Sequence, residues 1–387
     1  MQPEKSRSIM HLDLDTFFVS VERLRNSTLE GKPLIVGGAS DRGVVSACSY
    51  ETRQFGVYSG MSMKMARILC PNSIVIQGDF DQYVYYSRMV TDIIAEQAPV
   101  YEKMSIDEHY LDLTGMDRFF GTLQWAKELK ARIIKESGLP ISYGLSLNKT
   151  VAKIATGESK PNGALYVEAS RVTPFMDPLS IRKIPGIGIK SFQMLRTMGV
   201  SSILNLRTIP PNMVERVLGK SGLDVWKKAN GIDTTPVKQY TERQSISSER
   251  TFEQDTTDVE RLLDVLVGMT EKLAFEMRQK HKVTSCVAVK IRYSNFDTHT
   301  KQVKIAYSSF DHLLIDIVKQ LFATLYNRRM LIRLIGVKFS DLAYGSQQLD
   351  LFDTQINRAS LYQNLDKLRA TYGDHIVQRA SCLKGRK

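Results

Sequence analysis

Residues 11–18 read HLDLDTFF, and the chain around them alternates between apolar and polar side chains. An extended chain places Met10, Leu12 and Leu14 on one face and the polar residues between them on the other. The pattern predicts a strand with one buried face and a short helix after it. Asp13 lies at the end of that strand, where side chains commonly face a binding site.

A second acidic pair, Asp107 and Glu108, lies between two strand-like runs in SIDEHYLDLTG (residues 105–115). Adjacent side chains of a regular strand point to opposite faces, so a kink here is needed to aim both carboxylates at Asp13. Three clustered carboxylates repel one another by up to about 4 kcal/mol per pair, unless protons or cations compensate. Oxygen ligands of this kind suit Mg²⁺. The acids predict metal-dependent phosphoryl transfer, although each one taken singly also fits a solvated surface charge.

The bulk composition is that of a globular, basic protein. The chain has 387 residues, for which we expect about two to four domains, and a formal net charge of +12, which attracts polyanions such as nucleic acid. It contains no run of about 18 apolar residues, and MQPEKSRSIM lacks the apolar core of a secretory signal. The four cysteines form no CxxC pair. These features predict a cytoplasmic protein with no membrane span, disulfide framework or zinc site.

The texture of the sequence changes twice along the chain. A mixed α/β pattern runs to about Val167 and carries an insertion rich in Gly, Ser and Met. Residues 171–238 then consist of short helical stretches, with eleven Lys and Arg against four Asp and Glu. After the polar run TERQSISSER (residues 241–250), a helix over Val259–Gln279 and three strand patterns predict a small α+β domain.

Three motifs in order carry a resemblance to a known family: HLDLDTFF, SIDEHYLDLTG and YGLSLNKTVAKIATGESKPNGALYV (residues 143–167). Together they resemble the Y-family translesion DNA polymerases, in particular the DNA polymerase IV (DinB) branch, from about Ser8 to Phe352. The resemblance implies an α+β multidomain, right-hand polymerase with a ferredoxin-like palm. The implied domains are the palm (1–25 and 79–170), fingers (26–78), thumb (171–238), linker (239–246), α+β little finger (247–344) and tail (345–387).

The resemblance also implies a metal site. Two Mg²⁺ ions would be held by Asp13, Asp107, Glu108 and the carbonyl of Leu14. Asp15 fits a role in supporting the turn as well as it fits a direct ligand. Two neighbours of the acidic pair have structural interpretations: Asp112 packs or caps locally, and His109 is a satisfied structural histidine.

Residues of the nucleotide site follow from the same resemblance. Phe18 matches the steric gate, an aromatic ring that would clash with a 2′-hydroxyl, and Phe17 beside it also fits a core aromatic. Tyr50 and Arg53, three residues apart in SYETRQFGV, share a helix face and would reach the triphosphate with Lys160 of KPNG. Three small residues stand in the fingers: Ala47, where many relatives carry threonine, and Ser46 and Gly60, which would cover the nascent base pair loosely.

The DNA-binding candidates lie in the later segments. PGIG (residues 185–188) resembles a helix-hairpin-helix, so Gly186, Gly188 and Lys190 are expected to approach a phosphate. The alternative is a glycine-rich turn with Ile184, Ile187 and Leu195 as core. In the little finger, the candidates for backbone contacts are Arg243, Arg250, Lys290 and Arg333.

The tail carries two further features. The segment QLDLF resembles the peptide by which bacterial polymerases bind a sliding clamp of the DNA polymerase III β subunit type. Its candidate contact residues are Gln348, Leu349, Leu351 and Phe352. The run SLYQNLDKLRATYG follows, and its Leu361, Leu365 and Leu368 spacing predicts a helix that docks on the little finger.

The expected function is therefore template-directed, low-fidelity translesion synthesis without proofreading. A monomer would extend primed template DNA with an incoming dNTP by two-metal-ion catalysis, recruited by the sliding clamp. Two alternatives from other classes are a non-catalytic DNA- and clamp-binding accessory paralogue and a nucleotidyl cyclase on a similar palm.

Overall fold

The computed structural model describes residues 7–116, 121–239, 242–345, 356–373 and 376–380. The chain forms two compact units that divide between Thr241 and Glu242, inside the predicted linker. The clamp-like residues Gln348, Leu349, Leu351 and Phe352 lie outside the described residues.

The first part of the first unit alternates strands and helices. In chain order they are β1 (Ile9–Leu14), α1 (Phe17–Arg25), β2 (Leu34–Gly37), β3 (Val45–Cys48), α2 (Tyr50–Arg53), α3 (Met63–Leu69), β4 (Ile74–Ile76), α4 (Phe80–Gln97), β5 (Tyr101–Lys103), β6 (Glu108–Asp112), α5 (Thr122–Ser137), β7 (Ile141–Ser146), α6 (Lys149–Ser159) and β8 (Ala164–Tyr166). Two sheets result, a five-stranded one in the order β5-β6-β1-β7-β8 and a three-stranded one in the order β3-β2-β4. In the larger sheet, β1 is central and antiparallel to both β6 and β7.

The two faces of β1 differ as the alternation predicts. Met10, Leu12 and Leu14 are almost fully buried in the main core of this unit. That core also takes in apolar side chains of α1, α4 and α5, for example Val19, Ile94 and Leu129. Helix α6 packs against β1 and β7, and its Ala152 meets Ile9 in a separate small cluster. The polar side of β1, which carries Asp13, is therefore covered by α6.

The rest of the first unit is helical. Its helices are α7 (Val172–Met176), α8 (Ile189–Thr197), α9 (Ile203–Thr208), α10 (Pro211–Leu218) and α11 (Ser221–Ala229). Ile184, Ile187 and Leu195 are buried in the core of this part, as the glycine-rich-turn alternative requires. The helical stretch expected before PGIG is a single 3₁₀ turn, Ile181–Lys183, rather than an α-helix.

The second unit is a four-stranded antiparallel sheet with helices packed on it. Its elements are β9 (Ser245–Thr256), α12 (Val259–Gln279), β10 (Lys282–Tyr293), β11 (Thr298–Ser308), α13 (Asp311–Leu325), β12 (Ile332–Tyr344) and α14 (Ile356–Tyr372). The strand order is β11-β10-β12-β9. Leu266, Val287 and Phe322 belong to its core. The predicted helix Val259–Gln279 is confirmed, and with both units the α+β fold class is confirmed.

The predicted helix in the tail is α14, and it docks on the second unit mainly by residues other than the leucines. Leu361 and Leu368 are 53% and 44% exposed, whereas Tyr362 and Arg369 are each 6% exposed. The Tyr362 ring stacks on Phe310 with centroids 5.2 Å apart. The helix predicted from the leucine spacing is confirmed, and its docking contact is made by a tyrosine and ion pairs.

Ion pairs complete this docking contact. Arg278 of α12 donates to both carboxylate oxygens of Asp366, at 2.7 and 2.9 Å, and to Asp311 at 2.6 Å. Arg369 lies 3.7 Å from Asp311 and 4.0 Å from Glu271. The charges alternate between α14 and the body of the unit, so each buried charge faces an opposite one.

Two sequence expectations concern the environment of the chain. Across the described ranges, no helix has both the length and the apolar composition needed to cross a bilayer. Cys48, Cys70 and Cys286 are buried, free thiols.

Candidate active site

The structure places the three predicted carboxylates at the ends of adjacent strands. Asp13 on β1 is the register partner of Glu108 on β6, and Asp107 directly precedes β6. The backbone N–H of Leu14 donates to the carbonyl of Asp107 at 3.1 Å, which ties the two strand ends together.

A local turn produces the kink that the acidic pair requires. The Ser105 Oγ accepts hydrogen bonds from the backbone N–H groups of Asp107 at 3.3 Å and Glu108 at 3.0 Å, and its hydroxyl donates to Asp107 Oδ1. A serine that closes such a turn replaces the strand ladder locally. The predicted departure from regular strand geometry is confirmed, and the Ser105 side chain stabilises the turn. The two carboxylates do not converge on one point, because Asp107 lines the neighbouring cavity and Glu108 contacts Lys153.

Two lysines compensate the negative charge of the acids. The Lys160 ammonium contacts Asp13, and the Lys153 Nζ lies 2.6 Å from both carboxylate oxygens of Glu108. Burial raises the pKa of Asp13 to about 7, against the opposing effect of Lys160. His11, whose Nε2 lies 3.9 Å from Oε2, and Lys153 hold the pKa of Glu108 well below its usual range.

The donor set fits a hard divalent cation, but its side chains are not arranged as a finished cage. Within the described ranges, no three His, Cys, Asp or Glu side chains meet in a geometry that could hold one ion. Asp13 and Glu108 are each directed to a lysine instead. Three acids at neighbouring strand ends, with oxygen as the donor atom, suit Mg²⁺, and a cation there would relieve their repulsion.

A cavity of about 130 Å³ joins several predicted residues beside these acids. It is lined by Asp13, Leu14, Thr16, Phe17, Phe18, Ser46, Ala47, Arg53, Ser59, Asp107 and Lys160. Positions far apart in sequence thus converge on one space next to the acids. Thr16 and Ser59 were not predicted, and Glu108, Tyr50 and Gly60 are not among the lining residues.

The two phenylalanines of HLDLDTFF have different environments. Phe17 is buried in the main core, as its core interpretation predicts. Phe18 is partly buried, and its ring lies 4.1 Å from that of Tyr83 at an angle of 11°. The Tyr83 hydroxyl donates to Glu22 at 2.6 Å. Phe18 therefore faces the cavity while a fixed aromatic ring supports it.

Tyr50 and Arg53 lie on α2, which the Ser49 side chain caps. The Arg53 guanidinium lies 5.0 Å from the centre of the Tyr50 ring, so the predicted shared face is confirmed. The Tyr50 hydroxyl donates to Asp15 at 3.5 Å. Burial, with a smaller contribution from Asp15, raises the pKa of Tyr50 to about 12, so the hydroxyl keeps its proton at neutral pH.

The contacts of Asp15 are structural. Its Oδ2 accepts from the Ser142 hydroxyl and from the backbone N–H of Asn162, each at 2.7 Å. The carboxylate is buried and so holds the KPNG segment, with Lys160, against the strand ends. These contacts favour a role of Asp15 in supporting the turn over a role as a direct metal ligand.

His109 and Asp112 also have the structural environments that the sequence suggested. His109 is buried and its Nε2 lies 3.0 Å from the Thr91 hydroxyl. Burial, followed by the nearby Lys103, lowers the pKa of His109 to about 3, so the ring is neutral at physiological pH. Asp112 accepts a hydrogen bond from the backbone N–H of Thr114 at 3.0 Å.

The DNA-contact candidates are distributed over both units, and their roles stay predictions. Gly186 has a φ of 105°, which favours glycine, and Gly188 caps the N-terminus of α8 beside the exposed Lys190. In the second unit, Arg243 pairs with Glu276 at 3.4 Å and Lys290 with Glu249 at 2.5 Å. The Arg250 and Arg333 guanidinium groups lie over phenylalanine rings, those of Phe252 and Phe296.

Sequence reasoning missed Lys153, Ser105 and Tyr83. Lys153 lies within the quoted run NKTVAKIATGESKP, four residues after Lys149, but this spacing shows only that the two lysines share a helix face. Ser105 and Tyr83 carry no comparable signal, because their partners are distant or defined by the fold.

Comparison with known proteins identifies the family. Residues 12–157 match the impB/mucB/samB family and residues 243–351 match the C-terminal domain of that family. The DNA polymerase IV of Dehalococcoides mccartyi is 37% identical over 376 residues, which cover 96% of each chain. A Y-family DNA polymerase chimera has a similar structure, with a TM-score of 0.76, 27% identity, and 87% of this chain and 100% of that chain covered. For the insertion ternary complex of Dbh DNA polymerase, the TM-score is 0.64 at 27% identity and the same coverage.

The chain therefore belongs to the impB/mucB/samB family of Y-family DNA polymerases. Its enzyme class is DNA-directed DNA polymerase, of the DNA polymerase IV branch. A general requirement for a divalent metal follows from this class.

Proposed function

We propose that this chain performs low-fidelity translesion synthesis, adding dNTPs to a primer 3′-hydroxyl at the site formed by Asp13, Asp107 and Glu108. The observation that carries the proposal is the convergence of Asp13, Asp107, Phe18, Arg53 and Lys160 on one cavity. In this cavity the acids can bind metal ions, the cations can bind phosphate oxygens and the aromatic ring can contact the sugar.

Asp13, Asp107, Glu108 and the Leu14 carbonyl would hold two Mg²⁺ ions. When bound, the ions would lower the pKa of the attacking hydroxyl and neutralise the charge that develops on the triphosphate. The protein supplies position: the Ser105 turn orients Asp107, and Asp15 anchors the segment that carries Lys160.

Arg53 and Lys160 bind the triphosphate in this proposal. Both line the cavity that Asp13 and Asp107 also line, and Arg53 offers a planar fork of donors to phosphate oxygens. Tyr50 keeps its proton, so its hydroxyl is available as a donor to the same group.

Phe18 discriminates between sugars as a steric gate. A ring held against Tyr83 cannot yield to a 2′-hydroxyl without losing that stacking contact. Phe18→Ala is expected to raise ribonucleotide incorporation by the purified enzyme. Unchanged discrimination in that variant would remove the gate role.

Small residues over the cavity fit tolerance of distorted templates. Ser46 and Ala47 line it with short side chains. A loose cover loses the shape check that close contact provides, so we propose low fidelity, with synthesis that lacks a proofreading step.

The remaining parts of the proposal concern partners. The PGIG glycines with Lys190, and Arg243, Arg250 and Arg333, would contact the DNA backbone, so binding would be salt-dependent and insensitive to sequence. The QLDLF peptide would recruit a monomeric enzyme to the sliding clamp in the cytoplasm. Co-elution with a purified clamp, lost when Leu351 and Phe352 are both changed to Ala, tests the last point.

Primer extension across defined lesions tests the proposed function. The purified chain, with Mg²⁺ and dNTPs, is expected to extend a primer opposite both undamaged and bulky-adduct templates and to leave a mispaired primer end unexcised. DNA binding without extension would favour the accessory paralogue, and extension that stops at every lesion would contradict the translesion role.

A further inference from the structure

Two lysines of helix α6, and a third directly after it, contact acids on three neighbouring strands of the large sheet. Lys149 and Lys153 lie one turn apart on α6, and Lys160 follows directly after its last residue. Their partners are Glu102 on β5, Glu108 on β6 and Asp13 on β1, three strands that are consecutive in the sheet. The same element therefore compensates each acid from the same side.

Lys153 differs from its two neighbours in how it contacts its partner. Its Nζ is equidistant, at 2.6 Å, from both oxygens of Glu108, whereas Lys149 reaches Glu102 through Oε2. Equal distances place the ammonium midway between the two oxygens, so the contact restrains the direction in which the carboxylate points. A carboxylate has about four lone-pair sites, so one site on each oxygen is left for another ligand.

Of the described side chains, Lys153 is the one within hydrogen-bond distance of the Glu108 carboxylate. The glutamate begins β6, so its backbone is fixed by pairing with Asp13, but its side chain is 24% exposed. His11 Nε2, on the same face of the sheet, lies 3.9 Å away, beyond hydrogen-bond distance, and is itself a buried atom without a hydrogen-bond partner.

We propose that Lys153 is a positioning residue that orients the Glu108 carboxylate for a divalent cation. The inference rests on the proposed metal role of Glu108. Partners that orient a ligand in this way typically change metal affinity by about 10- to 100-fold when they are removed. Lys153 is expected to act through Glu108 and not through the nucleotide, because it is absent from the residues lining the cavity.

Binding of Mn²⁺ to the full-length protein tests the inference directly. The enzyme is first bound to a dideoxy-terminated primer–template and the matching dNTP, a complex that cannot react because the primer lacks its 3′-hydroxyl. This complex is added to Mn²⁺, and the decrease of the free-ion EPR signal measures the bound metal. The variants are Lys153→Met, which keeps the stem and removes the charge, Lys153→Arg, which restores two donors, and Lys149→Met. Lys149 is the matched control because it lies on the same helix as Lys153 but pairs with Glu102, a carboxylate outside the site.

Lys153→Met is expected to weaken Mn²⁺ binding by about tenfold or more, and Lys153→Arg to recover most of the loss. Lys149→Met is expected to leave the Mn²⁺ affinity unchanged. In steady-state extension, Lys153→Met should raise the Mg²⁺ requirement while the KM for dNTP stays as in the parent enzyme.

Three results would overturn the inference. If Lys153→Met binds Mn²⁺ as tightly as the parent, the ammonium does not prepare the ligand of the cation. Tighter binding by this variant would show that the ammonium competes with the cation. An equal loss in Lys149→Met would mean that the helix, and not the Glu108 contact, is responsible. If Glu108→Gln itself binds Mn²⁺ and extends primers normally, the proposed role of Glu108 fails as well, whereas a loss in Glu108→Gln alone removes only the inference about Lys153.

Discussion

The ring of Phe18 lies against the ring of Tyr83, with centroids 4.1 Å apart and planes inclined by 11°. Tyr83 is itself fixed, because it is 2% exposed and its hydroxyl donates to Glu22 at 2.6 Å. Burial and the Glu22 carboxylate raise the pKa of Tyr83, so that donor stays protonated. Phe18, the proposed steric gate for the sugar, is therefore supported by Tyr83 of α4, which does not itself line the cavity.

Removal of this support is expected to weaken sugar discrimination. An aromatic pair contributes about 0.5–1.5 kcal/mol, so Tyr83→Leu should lower the preference for dNTP over rNTP by up to about tenfold. Tyr83→Phe keeps the ring and should keep the preference. The ratio of kcat/KM for the two substrates measures it independently of the active fraction. An unchanged ratio in Tyr83→Leu would show that Phe18 is held by other contacts.

Arg53 is expected to act on nucleotide binding through its planar fork. Arg53→Lys loses a charge-assisted donor pair of about 1.5–3 kcal/mol, so the KM for dNTP should rise by roughly 10- to 100-fold with a smaller change in kcat. Arg67→Lys is the matched control, because Arg67 pairs with Asp41 in the same part of the chain, outside the cavity lining. Equal effects of the two substitutions would contradict the assignment.

The raised pKa of Asp13 predicts that the free energy of unfolding decreases as the pH rises. Its pKa is about 7 in the folded chain and near 4 when unfolded, so between these values the folded state binds more protons. Stability from this group is present below about pH 4 and is lost as the pH rises through about 7. Asp13→Asn removes that loss, so its Tm relative to the parent should be higher at pH 8 than at pH 5. Thermal unfolding in a chelating buffer measures this, and a pH-independent difference would contradict the raised pKa.

The docking of α14 is expected to depend on Tyr362 and not on its neighbour Leu361. Tyr362 stacks on Phe310, and its hydroxyl accepts from the backbone N–H of His312 at 3.1 Å. Tyr362→Ala should destabilise the docked helix by about 3 kcal/mol, whereas Leu361→Ala at an exposed position should stay within about 0.5 kcal/mol. Hydrogen exchange of the α14 amides distinguishes them. Equal protection in both variants would mean that the ion pairs alone hold the helix.

Local patterns predicted much of this molecule. The alternation around Asp13 identified the buried face of β1, and the apolar periodicity of Val259–Gln279 gave α12 with its observed ends. Both features depend on residues close in sequence, whose spacing determines which face is buried. The ordered motifs then predicted which distant residues would meet, and the cavity brings most of them together.

The parts that could not be predicted depend on pairing across the fold. Leu361 and Leu368 have helical spacing, but the docking face was decided by Arg278 and Phe310, which no pattern in the tail reveals. In the same way, the orientation of Glu108 on β6 depends on Lys153, which reaches it from α6, a helix that packs on the neighbouring strand β1. Side-chain direction at the acids is set by these long-range partners.

Single-turnover primer extension by the parent enzyme and by Asp107→Asn tests the central claim most directly. The parent should extend with Mg²⁺ and stop when a chelator is added, while Asp107→Asn should be slower by about a thousandfold, since a lost metal ligand costs several kcal/mol of transition-state stabilisation. Affinity for primed DNA, measured in parallel by fluorescence anisotropy, should change by less than about twofold. Extension by Asp107→Asn at the parental rate would contradict the account.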